Sequence, residues 1–74
     1  MKVILYTIDC PKCKVLEKKL QLKGIKFEAC HSMDVMRELG ITFAPALQVD
    51  GGPLMNFGQA NKWINEHGGA HGNN

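Results

Sequence analysis

The sequence predicts an α/β fold in which helices pack against a small sheet. Residues 3–8 are a continuous β-prone run without polar alternation, as expected for a strand covered on both faces. Apolar residues at helical spacing follow in residues 11–22, and residues 25–30 form a second β-prone run. A strand, a helix and a strand within about 30 residues make a βαβ unit, whose right-handed crossover requires parallel strands. The carboxyl ends of these two strands should therefore share one edge of the sheet.

The first helix carries sequence signals at both of its ends. Pro11 suits the first helical position, and Gly24 suits the left-handed residue that ends a helix. The stripe predicted to be buried contains Cys13, Leu16 and Leu20. We therefore predict a helix over residues 11–22 with one face toward the sheet.

The next segment predicts a short helix followed by a hairpin. Ser32 can cap the short helix, which ends at Gly40. Its inward-facing residues are expected to be Val35, Met36 and Leu39. Strands at residues 46–49 and 54–55, joined by an Asp-Gly-Gly turn, then form the predicted hairpin.

A last helix and a tail complete one domain. The helix is predicted over residues 59–67, where it buries Ala60 and Ile64. The glycine-rich residues 68–74 have nothing to bury, so a loose tail is expected there. With 74 residues in total, the chain has room for a single domain, which we place at residues 1–67.

The composition excludes several classes of protein. Apolar residues make up 45% of the chain and charged residues 22%, and no apolar run approaches the roughly 20 residues that cross a bilayer. A net charge of +2 is too weak to indicate nucleic-acid binding. The amino-terminal segment lacks the pattern of a signal peptide. We therefore expect a cytoplasmic monomer that binds neither membranes nor nucleic acid.

Two of the three cysteines form a closely spaced pair where the first strand meets the first helix. In a reducing compartment such a pair indicates redox catalysis or metal binding. Cys10 precedes the helix, so the free N–H groups of the helix N-terminus are expected to stabilise its thiolate, with Lys12 acting in the same direction and Asp9 opposing it. Cys13 lies one turn later on the apolar stripe and is predicted to be the buried partner.

This placement predicts an order of events. Cys10 attacks a substrate disulfide to give a mixed disulfide, and Cys13 then attacks Cys10 to release the reduced product. The strand, the Cys-Pro-Lys-Cys sequence and the amphipathic helix together are a stronger signal than an isolated pair.

Several short motifs occur in an order typical of a known superfamily. These are Val-Ile-Leu-Tyr-Thr at residues 3–7, Cys-Pro-Lys-Cys at 10–13, Gly-Ile-Thr at 40–42, Ala-Pro at 44–45 and Val-Asp-Gly at 49–51. The chain resembles the glutaredoxin and thioredoxin superfamily, specifically the short glutaredoxin-like redoxins, over most of its length. The resemblance implies a thioredoxin-like fold of the glutaredoxin type, with a four-stranded mixed sheet in the order 2-1-3-4 flanked by helices. It also implies thiol–disulfide oxidoreductase activity, in which the Cys-Pro-Lys-Cys pair reduces protein or small-molecule disulfides.

The resemblance further implies which residues form the site. In the superfamily, the proline corresponding to Pro45 is cis and faces the cysteines, and the residue before it offers backbone hydrogen bonds to an extended substrate. Ala44 and Pro45 are therefore the expected substrate-binding residues, although the residues alone indicate only a bend before a strand. The expected catalytic set is Cys10, Pro11, Lys12 and Cys13.

The expected partners are disulfide-containing protein substrates and a reductase. Glutathione-using members of the family carry a Gly-Gly pair followed by an acidic residue, whereas residues 55–59 here read Met-Asn-Phe-Gly-Gln. A thioredoxin reductase-like electron donor is therefore favoured over glutathione. We expect no bound cofactor, only a redox-active disulfide between Cys10 and Cys13.

Three other interpretations remain open at this stage. One is a zinc site with tetrahedral coordination by Cys10, Cys13, Cys30 and His31. We predict no metal, because zinc would block the nucleophile and His31 points the opposite way along a strand from Cys30. The resemblance also permits an iron–sulfur cluster bridged between two chains, and the cysteine pair could instead be structural in an interaction module.

Overall fold

The computed structural model describes residues 1–67, which contain three strands and three helices. In chain order they are β1 (Val3–Tyr6), α1 (Pro11–Leu22), β2 (Glu28–Cys30), α2 (Met33–Glu38), β3 (Ala46–Val49) and α3 (Phe57–His67). The tail predicted at residues 68–74 lies outside the described residues. No helix within residues 1–67 is long and apolar enough to cross a membrane.

The sheet is mixed and has β1 at its centre, in the order β2-β1-β3. β1 and β2 are parallel, with Tyr6 opposite Cys30, as the βαβ pattern predicts. β3 runs antiparallel to β1 and places Ala46 opposite Tyr6. The carboxyl ends of β1 and β2 and the beginning of β3 therefore lie at one edge of the sheet.

The predicted fourth strand is wrong for the described residues. In its place the structure has one β-bridge between Leu47 and Met55. The Leu47 N–H donates to Met55 O at 3.0 Å, and the Met55 N–H donates to Leu47 O at 2.8 Å. Pro53 has no N–H to donate to a ladder, and α3 begins at Phe57, so no residues are left to extend the pairing. The sheet consequently has three strands.

The ends of α1 agree with the prediction from sequence. Gly24 adopts φ 71° and donates its N–H to Gln21 O, while the N–H of Ile25 bonds Leu20 O at 2.9 Å. This closure holds residue 25 against the helix end, so β2 begins only at Glu28 and not at residue 25 as predicted.

The last helix begins two residues earlier than predicted because of its cap. The Asn56 N–H donates to Gln59 Oε1 and the Gln59 N–H donates to Asn56 Oδ1, both at 2.9 Å. This reciprocal arrangement satisfies two backbone donors at the helix start. The first turn therefore includes Phe57 and Gly58.

The main core lies between the sheet and the helices α1 and α3. Its buried members are Val3, Leu5, Leu16, Leu20, Leu47, Ala60 and Ile64. The predicted stripes of both helices, including Cys13, are fully buried. These contacts fix α1, and with it the turn that precedes its first residue.

The short helix α2 is less buried than predicted. Met36 is buried in a second small cluster, but Val35 and Leu39 remain 38% and 44% exposed. A helix of six residues has fewer than two turns, so it presents a single position to the core.

Candidate active site

The site begins at the turn that joins β1 to α1. Thr7 follows the strand, is fully buried, and donates its N–H to Cys30 O at 3.0 Å. Asp9 adopts a left-handed backbone with φ 61°, a conformation that Asp tolerates better than most residues, and its N–H donates to Thr7 Oγ1 at 3.0 Å. The turn places Cys10 directly before the helix.

Cys10 is the N-cap residue of α1. Its backbone is extended, its Sγ accepts the Cys13 N–H at 3.2 Å, and Pro11 occupies the first turn as predicted. The sulfur therefore lies against the free N–H groups of the helix N-terminus, where negative charge is favoured. A cysteine here does what Ser or Asp usually does at an N-cap.

The two cysteines of the pair are brought together as the sequence predicts. Their sulfurs are 2.7 Å apart, and both residues are free thiols. Cys10 is half-buried, whereas Cys13 has no exposed surface. Oxidation to a disulfide therefore needs a movement of less than about 1 Å.

The pKa of the Cys13 thiol is lowered from its ordinary value. Burial raises this pKa, but hydrogen bonds from the Cys10 and Thr7 side chains and from the backbone of Ile8 and Cys10 outweigh burial and lower it. Because the two sulfurs are in contact, the first proton to leave belongs to the pair and not to one thiol. Exposure then decides which sulfur can reach a substrate.

Lys12 makes a contact that the sequence did not predict. Its Nζ lies over the ring of Phe57, 5.4 Å from the centroid, which joins the start of α1 to the start of α3. The observed partner of the lysine charge is therefore the Phe57 ring, and a direct action on Cys10 stays a prediction.

The segment before β3 contains the two residues expected to contact substrate. The peptide bond between Ala44 and Pro45 is cis, the isomer that the resemblance implies. Pro45 is fully buried and Ala44 is half-buried. Their role in binding substrate stays a prediction.

A pocket of about 300 Å³ lies beside Ala44, and sequence reasoning missed it. It is lined by Ile8, Met33, Met36, Arg37, Ile41, Thr42, Phe43 and Ala44. Two of its apolar side chains are well exposed, Ile8 at 53% and Phe43 at 41%. The sequence has large apolar residues near both motifs, Ile8 two residues before Cys10 and Phe43 directly before Ala44, but nothing in it indicates that they line one pocket.

Within residues 1–67, no three of the four donor atoms of the zinc alternative lie in one group, although the sulfurs of Cys10 and Cys13 are in contact. Within residues 1–67, one group of three potential ligands has its atoms within 4.8 Å of one another, and it consists of Asp9, Glu17 and His31. His31 Nε2 lies 3.2 Å from Asp9 Oδ1, so this histidine is paired with a carboxylate instead of with Cys30. The Cys₃His alternative therefore lacks support from the geometry.

Comparison of the chain with protein-family models, with curated proteins and with solved structures finds no match.

Proposed function

We propose that this protein is a thiol–disulfide oxidoreductase of the glutaredoxin-like kind, which reduces disulfides of protein substrates through Cys10 and Cys13. One observation carries the proposal. The half-buried Cys10 sulfur caps a helix N-terminus and contacts the sulfur of a fully buried second cysteine one turn later. A cysteine pair with only a structural role would gain nothing from a sulfur placed at a helix N-terminus.

The reaction has two exchange steps. The Cys10 thiolate attacks one sulfur of the substrate disulfide, so a Cys10–substrate bond forms and the other substrate sulfur leaves as a thiolate. Cys13 then attacks Cys10 Sγ, which forms the disulfide between Cys10 and Cys13 and releases the second substrate thiolate. The protein loses two electrons, the substrate gains them, and the two protons lost by the cysteines end on the substrate thiols.

Access assigns the two roles. A substrate disulfide must approach in line with the attacking sulfur, and Cys13 has no exposed surface on which this can happen. Cys10 is partly exposed at the turn, so it attacks first. Cys13 needs to reach only Cys10, which it already contacts.

The architecture is compatible with a thioredoxin-like fold of the glutaredoxin type. A central β1 with a parallel neighbour and an antiparallel neighbour supports this proposal, as does the placement of the cysteines after β1 and of Ala44 and Pro45 before β3. The bridge between Leu47 and Met55 lies on the side of β3 away from β1, where a fourth strand would pair in such a fold.

The surface beside the site favours a polypeptide substrate. The pocket next to Ala44 is mainly apolar and has Arg37 as its one charged lining residue. An extended segment that flanks a disulfide can place an apolar side chain there. Small disulfides without flanking residues would not use this surface.

The start of α3 favours a protein reductase over glutathione as electron donor. The side-chain oxygens of Asn56 and Gln59 each accept the other residue's backbone N–H. Residues 55–59 also contain no acidic residue that could hold the glutathione backbone. We therefore propose that a thioredoxin reductase-like enzyme recharges the pair.

The proposal is tested by trapping the intermediate. Cys13→Ser keeps the nucleophile and removes the resolving thiol, so it should accumulate a mixed disulfide with a disulfide-bonded protein, visible by mass spectrometry and dissolved by reductant. Cys30→Ser is the matched control, because this cysteine lies at the end of β2 outside the pair, and it should turn over like the unaltered protein. The proposal fails if the unaltered protein reduces no protein disulfide, or if the trapped adduct is on Cys30.

A further inference from the structure

Helix α1 presents a row of lysines that begins at the thiol of Cys10. The helix contains four lysines and one glutamate. Cys10, Lys14 and Lys18 follow one another at intervals of four residues, so their side chains lie along one side of the helix. Lys14 and Lys18, here called the lysine row, are both exposed, and the Lys14 N–H donates to Cys10 O at 3.0 Å. The positive charge therefore starts one helical turn from Cys10.

The glutamate of α1 does not neutralise the lysine row. An oxygen of the Glu17 carboxylate lies within 4.8 Å of the nearest donor atoms of Asp9 and His31. The ion pairs within residues 1–67 join other side chains, His31 with Asp9 and Arg37 with Asp34. No lysine in the described part of the chain is therefore ion-paired, and the row keeps its full charge.

The other two lysines of α1 are held by uncharged partners. Lys12 Nζ lies over the ring of Phe57, 5.4 Å from the centroid. Lys19 Nζ donates to the side-chain oxygens of Asn61 and Asn65, the second at 3.5 Å. These contacts order both side chains against α3 without cancelling their charge. Helix α1 is consequently positive from its first turn to its last.

Exposed apolar side chains accompany the lysine row. Val15 is 46% exposed and Leu22 75%, and Lys18 lies three residues after the first and four before the second. Lys14, Val15, Lys18 and Leu22 form what we call the outer face of α1. A partner that covers this face gains ion pairs and also buries apolar surface. Helix α2, in contrast, carries two acidic residues and one arginine.

We propose that the outer face of α1 binds an acidic segment of the protein substrate while Cys10 attacks the substrate's disulfide. This inference rests on the proposed function and deepens it, because it names the charge of the substrate. The lysine row starts at the thiol, so carboxylates near the disulfide meet the row when the disulfide meets Cys10. Complementary charge raises the rate of encounter, and salt weakens this effect.

The test uses three peptides in which one cysteine is joined by a disulfide to a chromogenic aryl thiol. The cysteine is flanked by four glutamates, four glutamines or four lysines. Release of the aryl thiolate reports attack by Cys10, and each rate is divided by the rate with a small neutral thiol to correct for the reactivity of the disulfide. At about 10 mM salt the glutamate peptide should react about fivefold faster than the glutamine peptide, and the lysine peptide slowest. At about 1 M salt the first ratio should fall below about twofold.

Charge reversal of the row should remove this preference. The double variant Lys14→Glu with Lys18→Glu should react no faster with the glutamate peptide than with the glutamine peptide. Lys2→Glu with Lys26→Glu is the matched control, because it changes the net charge equally on two exposed residues at the opposite end of the parallel strands, and it should keep most of the preference. Lys14→Gln with Lys18→Gln provides the same measurement if the reversed variant does not fold.

The proposal is overturned if the unaltered protein shows no preference for the glutamate peptide. It is also overturned if the control variant loses as much of the preference as the row variant, because net charge alone would then explain the rates.

A second measurement separates this inference from the proposed function. A peptide with four glutamates and no cysteine, added to the isotope-labelled protein at about 10 mM salt, should shift the amide resonances of Lys14 and Lys18. If the unaltered protein reduced no disulfide, the proposed function would fail, and this titration would still decide whether the outer face of α1 binds acidic polypeptide. Shifts confined to other residues overturn the site, and tighter binding of a DNA oligonucleotide of equal charge to this face overturns the choice of partner.

Discussion

Helices α1 and α2 begin alike and differ in what their beginnings can do. Each follows one strand of the parallel pair, and each has an N-cap side chain that accepts the backbone N–H three residues later at 3.2 Å. Cys10 does this with a sulfur for Cys13, and Ser32 does it with an oxygen for Val35. The same local geometry thus places a thiol at the start of one helix and a hydroxyl at the start of the other.

The difference between the helices lies in what fixes them. α1 has 12 residues and buries three of them, whereas α2 has six residues and buries one. α2 also has charged side chains suited to a helix, with Asp34 in its first turn and Arg37 in its last. A well-anchored helix does not depend on an optimal cap, so the N-cap of α1 is free to be a cysteine.

The largest expected effect comes from replacing the sulfur and keeping the cap. Ser32 shows that a serine performs this capping at an equivalent place, so Cys10→Ser should fold, with a free energy of unfolding changed by less than about 1 kcal/mol. Disulfide reductase turnover should fall by about 1000-fold or more, because the nucleophile is lost. Turnover and urea unfolding measured on the same preparation check this. If Cys10→Ser unfolded at a clearly lower urea concentration than the unaltered protein, serine would not be an equivalent cap for α1, and the comparison with Ser32 would be contradicted.

The next effect concerns anchoring. Leu16→Ala removes a fully buried side chain of α1 and should cost about 3 kcal/mol in the free energy of unfolding. Leu39→Ala, at the 44% exposed C-cap of α2, should change it by less than about 0.5 kcal/mol. Urea denaturation of the reduced proteins gives both values. Similar losses in the two variants would show that α2 is as firmly packed as α1.

The smallest effect is a dependence of stability on pH that only the cysteine-bearing helix should produce. The pKa of Cys13 is lowered in the folded reduced protein, so between that pKa and the value of about 8.5 for an unfolded thiol, the unfolded state binds more protons. The free energy of unfolding should therefore gain a contribution as pH rises toward about 8.5, and lose it as pH falls through the folded pKa. Cys13→Ala should lack this contribution, as should the oxidised protein.

Urea titrations of the reduced protein and of Cys13→Ala at several pH values measure this difference. Parallel pH dependences in the two proteins would mean that the pair does not hold negative charge in the folded state.

Features with local signals were predictable from the sequence. The bounds of α1 followed from Pro11 and Gly24, and the contact between Cys10 and Cys13 followed from one helical turn of spacing. The parallel pairing of β1 and β2 followed from the βαβ pattern.

Features that depend on packing between distant segments were not predictable in the same way. Residues 54–55 have the composition of a strand and were predicted to form one. Because α3 begins at Phe57, their pairing with β3 is limited to the bridge between Leu47 and Met55. Nothing local shows that Lys12 lies over Phe57, or that Ile8 and Phe43 line one pocket. The left-handed backbone of Asp9, whose N–H donates to Thr7 Oγ1, is likewise indicated by no residue pattern.

The central place of β1 has a consequence for the order in which the chain can acquire its structure during synthesis. β1 is made before its antiparallel partner β3, which supplies Val49 opposite Val3, so one edge of the middle strand stays open until β3 has been made. An apolar strand with an open edge is a site for association between nascent chains. Both cysteines of the pair also emerge during that interval, before the fold in which Cys13 is buried is complete. A growing chain therefore exposes both thiols to intermolecular disulfide formation at a stage when the finished fold does not yet shield Cys13.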